Sequence, residues 1–407
     1  VTKVLVVDDS ALMRRLLTGV LTEAGFQVAA ARNGVEGVQQ LTEWEPDVVT
    51  LDINMPEMDG LTALSLMMQA RPTPVVMVSS LTEKGAQATF EALALGAVDF
   101  IAKPGGTISL SVADIAVQLI QKVKAAARAQ LRPLRRVPPP LAMPQARRMT
   151  KPTGPAGPFG AAGRGKASPG SSTAAAAAGL KGAASTAASS TASSTASSTA
   201  STAASSAARS GAALGKAEGV VIIGVSTGGS RTLEDILPLL PADFAWPVLV
   251  AQHMPGNFTE AFAKRMDKLC QVTVRECNST LPLEPGHVYI GQGGTDMVLA
   301  ERLGRLVAQP RPESPSHPWH PSTDVLVDSA MKLLPAHNIV GVLLTGMGDD
   351  GAKTMSQLKR RGGRTIAESS DTAVVFGMPN ELIERGGASL VLPCGEVTRQ
   401  LCHWISK

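Results

Sequence analysis

"VVIIGVSTGG", residues 220–229, runs a block of large apolar side chains into a turn of small ones, and "SRTLEDIL" behind it has the spacing of a helix. A buried strand, a glycine-rich turn and a helix form the unit of an open parallel α/β sheet. The turn separates three uses of such a loop. A phosphate-binding P-loop needs Lys after its last Gly, but Gly229 is followed by Ser230 and Arg231. A dinucleotide fingerprint needs G-x-G-x-x-G, which this turn lacks. Gly224, Ser226 and Gly228 satisfy G-x-S-x-G, which sets a hydroxyl on a tight turn beside free amides at a helix start.

A serine nucleophile requires a base and an acid to orient it. "PVLVAQHMPG" ends an apolar run with His253, and "VGVLLTGMGDDGA" ends another in a loop carrying Asp349 and Asp350. Each feature alone has a plainer reading. Small turns tolerate Ser, a His at a strand end is often structural, and one of two adjacent acids commonly caps the next helix. Together they place a hydroxyl, an imidazole and a carboxylate at strand ends, in the chain order Ser, His, Asp.

The first third of the chain carries a second set of strand ends. "KVLVVDD", "VAAAR", "PDVVTLDINMP", "TPVVMVSS" and "AVDFIAK" read as five parallel strands separated by amphipathic helices, with "ADIAVQLIQKVKAAARA" as a last helix. Asp8 and Asp9, Asp52, Ser79 and Lys103 fall at carboxyl ends, where open α/β sheets bind ligands. Carboxylates gathered there repel one another without a cation, and oxygen ligands of this kind suit Mg²⁺.

Between the two parts, "RRVPPPLAMPQ", "GPAGPFGAAGRGKASPG" and "STAASSTASSTASSTASTAASS" contain too little apolar surface to form a core. The chain is therefore expected to be two doubly wound parallel-sheet α/β domains, residues 1–125 and 217–407, joined by a disordered linker, residues 126–216. As a flexible coil of about 85 residues the tether would span on the order of 50 Å. The formal charge of +4 belongs to this tether: between Ile115 and Ala217 lie 14 Lys or Arg and no acid, which leaves −10 for the rest. The C-terminal part lacks the helix-only pattern and basic recognition face of a DNA-binding output, so no nucleic-acid partner is expected.

Composition narrows the class further. With 44% hydrophobic but only 3% aromatic residues, the cores are expected to be built from Val, Leu, Ile, Met and Ala. No apolar run is long enough to cross a bilayer, and "VTKVLVVDDS" reads as a strand, not a signal peptide, so a cytoplasmic, monomeric chain without membrane insertion is expected. The four Cys show neither C-x-x-C nor a His partner at zinc spacing.

"VLVVDDS", "LDINMPEMDG", "VMVSS" and "FIAKPGG" resemble response-regulator receiver domains. That resemblance implies Asp52 as phosphoryl acceptor from a histidine kinase. It implies Mg²⁺ held by Asp8, Asp9, Asp52 and the Asn54 carbonyl, with Ser79, Phe100 and Lys103 as the switch set. "IGVSTGGSRTLEDIL", "AQHMPGNFTEAFAKRMDKLC", "PGHVYIG", "HPSTDVLVDSA", "LLTGMGDDGAKTM" and "TIAESSDTAVVFGMPNELIERGG" resemble the chemotaxis receptor methylesterases, the CheB family. This second resemblance implies Ser226 as nucleophile, His253 as base, Asp350 as orienting acid and the amides of Thr227 and Met347 as oxyanion donors. It also implies hydrolysis of glutamate γ-methyl esters, and deamidation of some glutamines, on methyl-accepting chemotaxis receptors. "GQGGTDM" departs from the family's pattern. The competing reading is a non-catalytic response regulator whose C-terminal domain only binds a partner.

Overall fold

The computed structural model describes residues 1–80, 82–103, 112–131 and 218–405. Most of the expected linker, from residue 132 to 216, lies outside the described residues. The chain opens with β1 (Lys3–Val7), α1 (Ala11–Glu23), β2 (Gln27–Ala31), α2 (Gly34–Trp44) and β3 (Val48–Asp52). It continues with α3 (Gly60–Ala70), β4 (Val75–Ser79), α4 (Glu83–Ala94), β5 (Asp99–Ala102) and α5 (Val112–Ala126). The five strands form one parallel sheet in the order β2-β1-β3-β4-β5. β3 and β4 are buried at every position, as strands covered by helices on both faces must be. Helix starts are set by local caps: Ser10, Asn33 and Asp59 each accept a backbone N–H three residues on.

The second domain begins with β6 (Val220–Val225), α6 (Gly229–Ile236), β7 (Val248–Gln252), α7 (Gly256–Leu269) and β8 (Thr273–Cys277). Next come β9 (Leu281–Pro282), β10 (His287–Gly291), β11 (Asp296–Arg302), β12 (Arg305–Arg311) and α8 (Thr323–Leu333). The last elements are β13 (Ile339–Leu343), α9 (Ala352–Arg360), β14 (Arg364–Glu368), α10 (Met378–Glu384), β15 (Leu390–Leu392) and α11 (Cys394–Ile405). Seven strands make a parallel sheet in the order β15-β14-β13-β6-β7-β10-β8, and β11, β12 and β9 form a small antiparallel sheet. The fully buried β6 and β13 pair at the centre, so the chain reverses beside them and their carboxyl ends open a crevice.

The antiparallel hairpin and the strands β8 and β14 stand in addition to the strands expected from sequence. The hairpin turns on Leu303 and Gly304, both at positive φ (50° and 72°), a two-residue turn without the Asn-Gly signature. The sheet cores are aliphatic, as the composition implies, and the scarce rings collect elsewhere. Phe90 and Phe100 of the first domain meet Phe258 and Phe262 of α7, all at most 3% exposed. The Phe100 and Phe258 ring centroids lie 4.4 Å apart, and those of Phe90 and Phe262 5.4 Å. Half of the chain's eight Phe thus seal the seam between the domains, which belong to one compact unit. Past α5 the chain runs to Leu131 against the second domain, where the Gln130 N–H donates to the Val374 carbonyl at 3.0 Å.

Candidate active site

Ser226 is the first residue after β6. Its N–H donates to the Thr345 carbonyl at 3.0 Å, and its own carbonyl accepts from the Gly229 N–H and the Gln252 side chain. Gly228 bends the turn with φ +80°, and a Cβ there would lie 2.6 Å from Val374. At Gly229 a Cβ would meet both Gln252 and Val225 at 2.4 Å, so the chain passes this point only as glycine.

His253 is the first residue after β7, tied back by its N–H to the Val225 carbonyl at 3.1 Å. Its Nε2 lies 2.8 Å from Asp350 Oδ2, and the two side chains are 7% and 2% exposed. Asp350 also accepts from Ser322 Oγ (2.8 Å), the Thr323 N–H (2.6 Å) and the Asp324 N–H (3.1 Å). Burial alone would push its carboxyl up; the hydrogen bond with His253, helped by the two amides, overcomes this and holds it at about 2. The neighbouring Asp349 points outward and pairs with Arg385 at 3.1 Å. The two adjacent acids are thereby told apart.

Because Asp350 only accepts, Nε2 carries the imidazole proton and Nδ1 presents a lone pair. Nδ1 is buried and makes no hydrogen bond among the described residues. Ser226 and His253 line one cavity of about 300 Å³. No hydrogen bond among the described residues takes up the amide of Thr227 or of Met347. The indole of Trp319 lies parallel to the His253 ring, with 5.5 Å between centroids and 2° between planes.

At the other sheet, carboxylate oxygens of Asp8, Asp9 and Asp52 lie within 4.8 Å of one another. Lys103 Nζ reaches Asp8 Oδ2 at 3.1 Å and Asp52 Oδ2 at 2.7 Å. Burial raises the Asp52 carboxyl against the pull of Lys103, while the two carboxylates lift Lys103 against its own burial. Asn54 donates its N–H to Asp52 Oδ1 at 3.4 Å. Ser79 is buried and bonds the Gly85 carbonyl at 3.2 Å. An all-oxygen donor set around a buried carboxylate fits a hard divalent cation. Phe100 is placed in the domain seam, its ring against Phe258 of α7.

One contact joins the two sites' surroundings. Asp99, the first residue of β5, accepts from Thr227 Oγ1 at 2.6 Å, Lys122 Nζ at 2.7 Å and the Phe100 N–H at 2.7 Å.

The chain matches the family model described as "CheB methylesterase" over residues 221–401 and the one described as "Response regulator receiver domain" over residues 4–113. It is 48% identical over 407 residues to "Protein-glutamate methylesterase/protein-glutamine glutaminase 3" of Rhodospirillum rubrum, covering 100% of this chain and 97% of that protein. The chain belongs to the CheB methylesterase family. A second family member, "Protein-glutamate methylesterase/protein-glutamine glutaminase 2" of Rhodopseudomonas palustris (strain BisB18), is 43% identical and covers 99% of this chain and 98% of its own length. The catalytic domain of Thermotoga maritima CheB methylesterase, a crystal structure, is 38% identical, covers 46% of this chain and 97% of its own, with a TM-score of 0.44.

Several residues around this candidate site are not singled out by the sequence. Ser322 and Thr323 lie in "HPSTDVLVDSA", which carries the family resemblance without marking either one; Ser322 caps α8, and both hold Asp350. Trp319 and Asp99 act through distant contacts that no local pattern announces. Among the described residues no helix is long and apolar enough to cross a membrane.

Proposed function

We propose that the protein is a phosphorylation-controlled hydrolase that removes methyl groups from glutamate γ-methyl esters of methyl-accepting chemotaxis receptors and deamidates glutamines there. Ser226, His253 and Asp350 carry the reaction. The observation that supports this most is the buried His253 Nε2–Asp350 Oδ2 contact of 2.8 Å, which leaves Nδ1 unsatisfied in the cavity that Ser226 also lines.

In this reading Ser226 Oγ attacks the ester carbonyl carbon while His253 Nδ1 takes the hydroxyl proton. The oxyanion forms beside the free amides of Thr227 and Met347. Collapse re-forms the carbonyl and breaks the bond between the acyl carbon and the methoxy oxygen, and methanol leaves with the proton returned by Nδ1. A water deprotonated by the same nitrogen then opens the acyl-serine to a glutamate carboxylate and restores the hydroxyl. With a glutamine, ammonia leaves in place of methanol, so one site serves both reactions.

Residues 1–125 act as the receiver in this scheme, residues 126–216 as tether and residues 217–407 as the esterase. A carboxylate oxygen of Asp52 attacks the phosphorus of a kinase phosphohistidine, and the P–N bond breaks with its electron pair on the imidazole. Asp8, Asp9, Asp52 and the Asn54 carbonyl would hold Mg²⁺, which would neutralise charge on the phosphoryl group. Unphosphorylated, the receiver roofs the cavity at Ser226 and His253 and shuts out the receptor. Phosphorylation lifts that inhibition only as far as it changes the docking free energy.

The test is release of labelled methanol from methylated receptor cytoplasmic domains by full-length protein, with and without a small phosphodonor and Mg²⁺. Release should rise on phosphorylation and vanish in Ser226→Ala. Release that survives Ser226→Ala overturns the nucleophile, and release indifferent to phosphorylation overturns the control.

A further inference from the structure

The docked receiver does not fill the space in front of Ser226. A cavity of about 300 Å³ remains, floored by Ser226, Gly228 and His253 and roofed by Leu93, Ala97 and Val98 of the receiver. Its lining also includes Pro72 and Gln130, both solvent-exposed, so the chamber opens to water between the domains. Most of its receiver-side wall is apolar.

Of the proposed catalytic groups facing this chamber, the base and its acid are joined in the docked state, and Ser226 lines the same space. His253 keeps Asp350, and its Nδ1 has no partner although the side chain is only 7% exposed. A buried acceptor without a partner favours any donor that enters the chamber. The receiver's hydrogen bond to the catalytic turn falls on the Thr227 side chain, through Asp99, and leaves the Thr227 amide untouched.

Size decides what this chamber admits. One turn of an α-helix with its side chains fills roughly 400–600 Å³, given a diameter of about 10–12 Å and a rise of about 5.4 Å. A receptor helix is therefore excluded. Small-molecule pockets begin near 300 Å³, so a compact ester of about a dozen heavy atoms is not.

We propose that the docked, unphosphorylated protein hydrolyses short, uncharged carboxylic esters at Ser226: the receiver acts as a size filter over a working site. The proposal rests on the triad reading above and adds a substrate class and a phosphorylation-independent activity to it. Ser226 Oγ bonds to the acyl carbon as His253 Nδ1 takes its proton; the ester C–O bond breaks and the alcohol leaves with that proton. Water then cleaves the acyl-serine, giving the free acid and the regenerated hydroxyl.

The test compares p-nitrophenyl acetate with methylated receptor domain, using full-length protein in three forms: phosphorylated, unphosphorylated, and Asp52→Asn. The unphosphorylated and Asp52→Asn forms should hydrolyse p-nitrophenyl acetate within about tenfold of the phosphorylated rate, while their receptor demethylation falls at least a hundredfold below it. Ser226→Ala should remove both activities. Ala97→Trp, which puts bulk into the roof, should lower p-nitrophenyl acetate hydrolysis at least tenfold in the unphosphorylated protein and restore it on phosphorylation. If ester hydrolysis falls in parallel with receptor demethylation in the unphosphorylated forms, or persists in Ser226→Ala, the size filter is wrong. A phosphorylated protein that demethylates receptor but never cleaves p-nitrophenyl acetate overturns the proposal and leaves the triad standing. Loss of both activities in every form overturns the triad reading itself.

Discussion

Asp99 and Lys103 stand at opposite ends of one strand, β5, and each is bonded to a different functional site. Asp99 Oδ2 accepts from Thr227 Oγ1 at 2.6 Å, beside the candidate nucleophile, and Lys103 Nζ sits 2.7 Å from Asp52 Oδ2 at the candidate phosphoryl-acceptor site. A strand of this length spans roughly 13 Å. Phe100, next to Asp99, packs its ring on Phe258 of α7, so whatever shifts β5 is felt at the domain seam.

Asp99→Ala removes the acceptor of a charge-assisted bond, a contribution of about 1.5–3 kcal/mol. Unphosphorylated receptor demethylation is expected to rise about tenfold or more, and the further gain on phosphorylation to shrink. Phosphoryl acceptance at Asp52 is the control that the receiver remains folded. An unchanged basal rate with normal phosphorylation would remove Asp99 from the docking contact.

Ser226→Ala and His253→Ala should each lower receptor demethylation by several orders of magnitude, since the members of a triad act as a unit. Asp350→Asn should leave a residue of activity, because the acid orients the imidazole without reacting. Asp349→Asn, whose carboxylate faces Arg385 at the surface, should change the rate less than twofold. A larger loss at Asp349 than at Asp350 reverses the assignment of the two acids.

The bonds that hold Asp350 at about 2 also tie its charge to stability. Its folded value lies below the unfolded one, so the contribution is fully present above the ordinary carboxylate range and is lost as pH falls from about 4 toward 2. The size is about 2–3 kcal/mol, taking about 1.4 kcal/mol for each unit of displacement from the ordinary 3.8. Urea midpoints at pH 6 and pH 3 should therefore differ more in the native protein than in Asp350→Asn. Equal pH dependence in the two would mean that Asp350 is not held as a charged acceptor.

The residues with the clearest sequence signal are those that end buried strands. β3 and β6 are buried along their length because both faces are covered, so Asp52, which ends the first, and Ser226, which follows the second, mark a strand end and a candidate site together. His253 and Asp350 follow the same logic at β7 and β13. The domain seam is different. Asp99 reads as an ordinary strand residue, and its partner Thr227 lies 128 positions away, so no local pattern relates them. Phe100 is buried core, but core shared with α7. The hairpin of β11 and β12 escaped because Leu303 takes a left-handed conformation that its side chain disfavours.

Asp52 should accept phosphoryl from a small phosphodonor only with Mg²⁺ present, and Asp52→Asn should retain no label. Label that persists in Asp52→Asn places the acceptor elsewhere.

Trp319 gives the last prediction. Its indole lies parallel to the His253 ring, 2° between planes, and packs edge-on against the loop that carries Asp350: a Cβ on Gly348 would come within 2.7 Å of it. Three and four residues further on, Ser322 and Thr323 bond Asp350. The single segment 319–323 therefore fixes both the plane of the base and the acid behind it. A misplacement of about 1 Å in such groups can cost up to about 100-fold in rate. Trp319→Leu should lower kcat for receptor demethylation by about 10- to 100-fold with KM nearly unchanged, since the loss is in aligning Nδ1 and not in holding substrate. Trp319→Phe, which restores a flat ring face, should stay within about threefold of the native rate. A raised KM with kcat intact in Trp319→Leu would instead make the indole a substrate contact, and equal loss in the Leu and Phe variants would mean that bulk, not ring stacking, holds His253 in place.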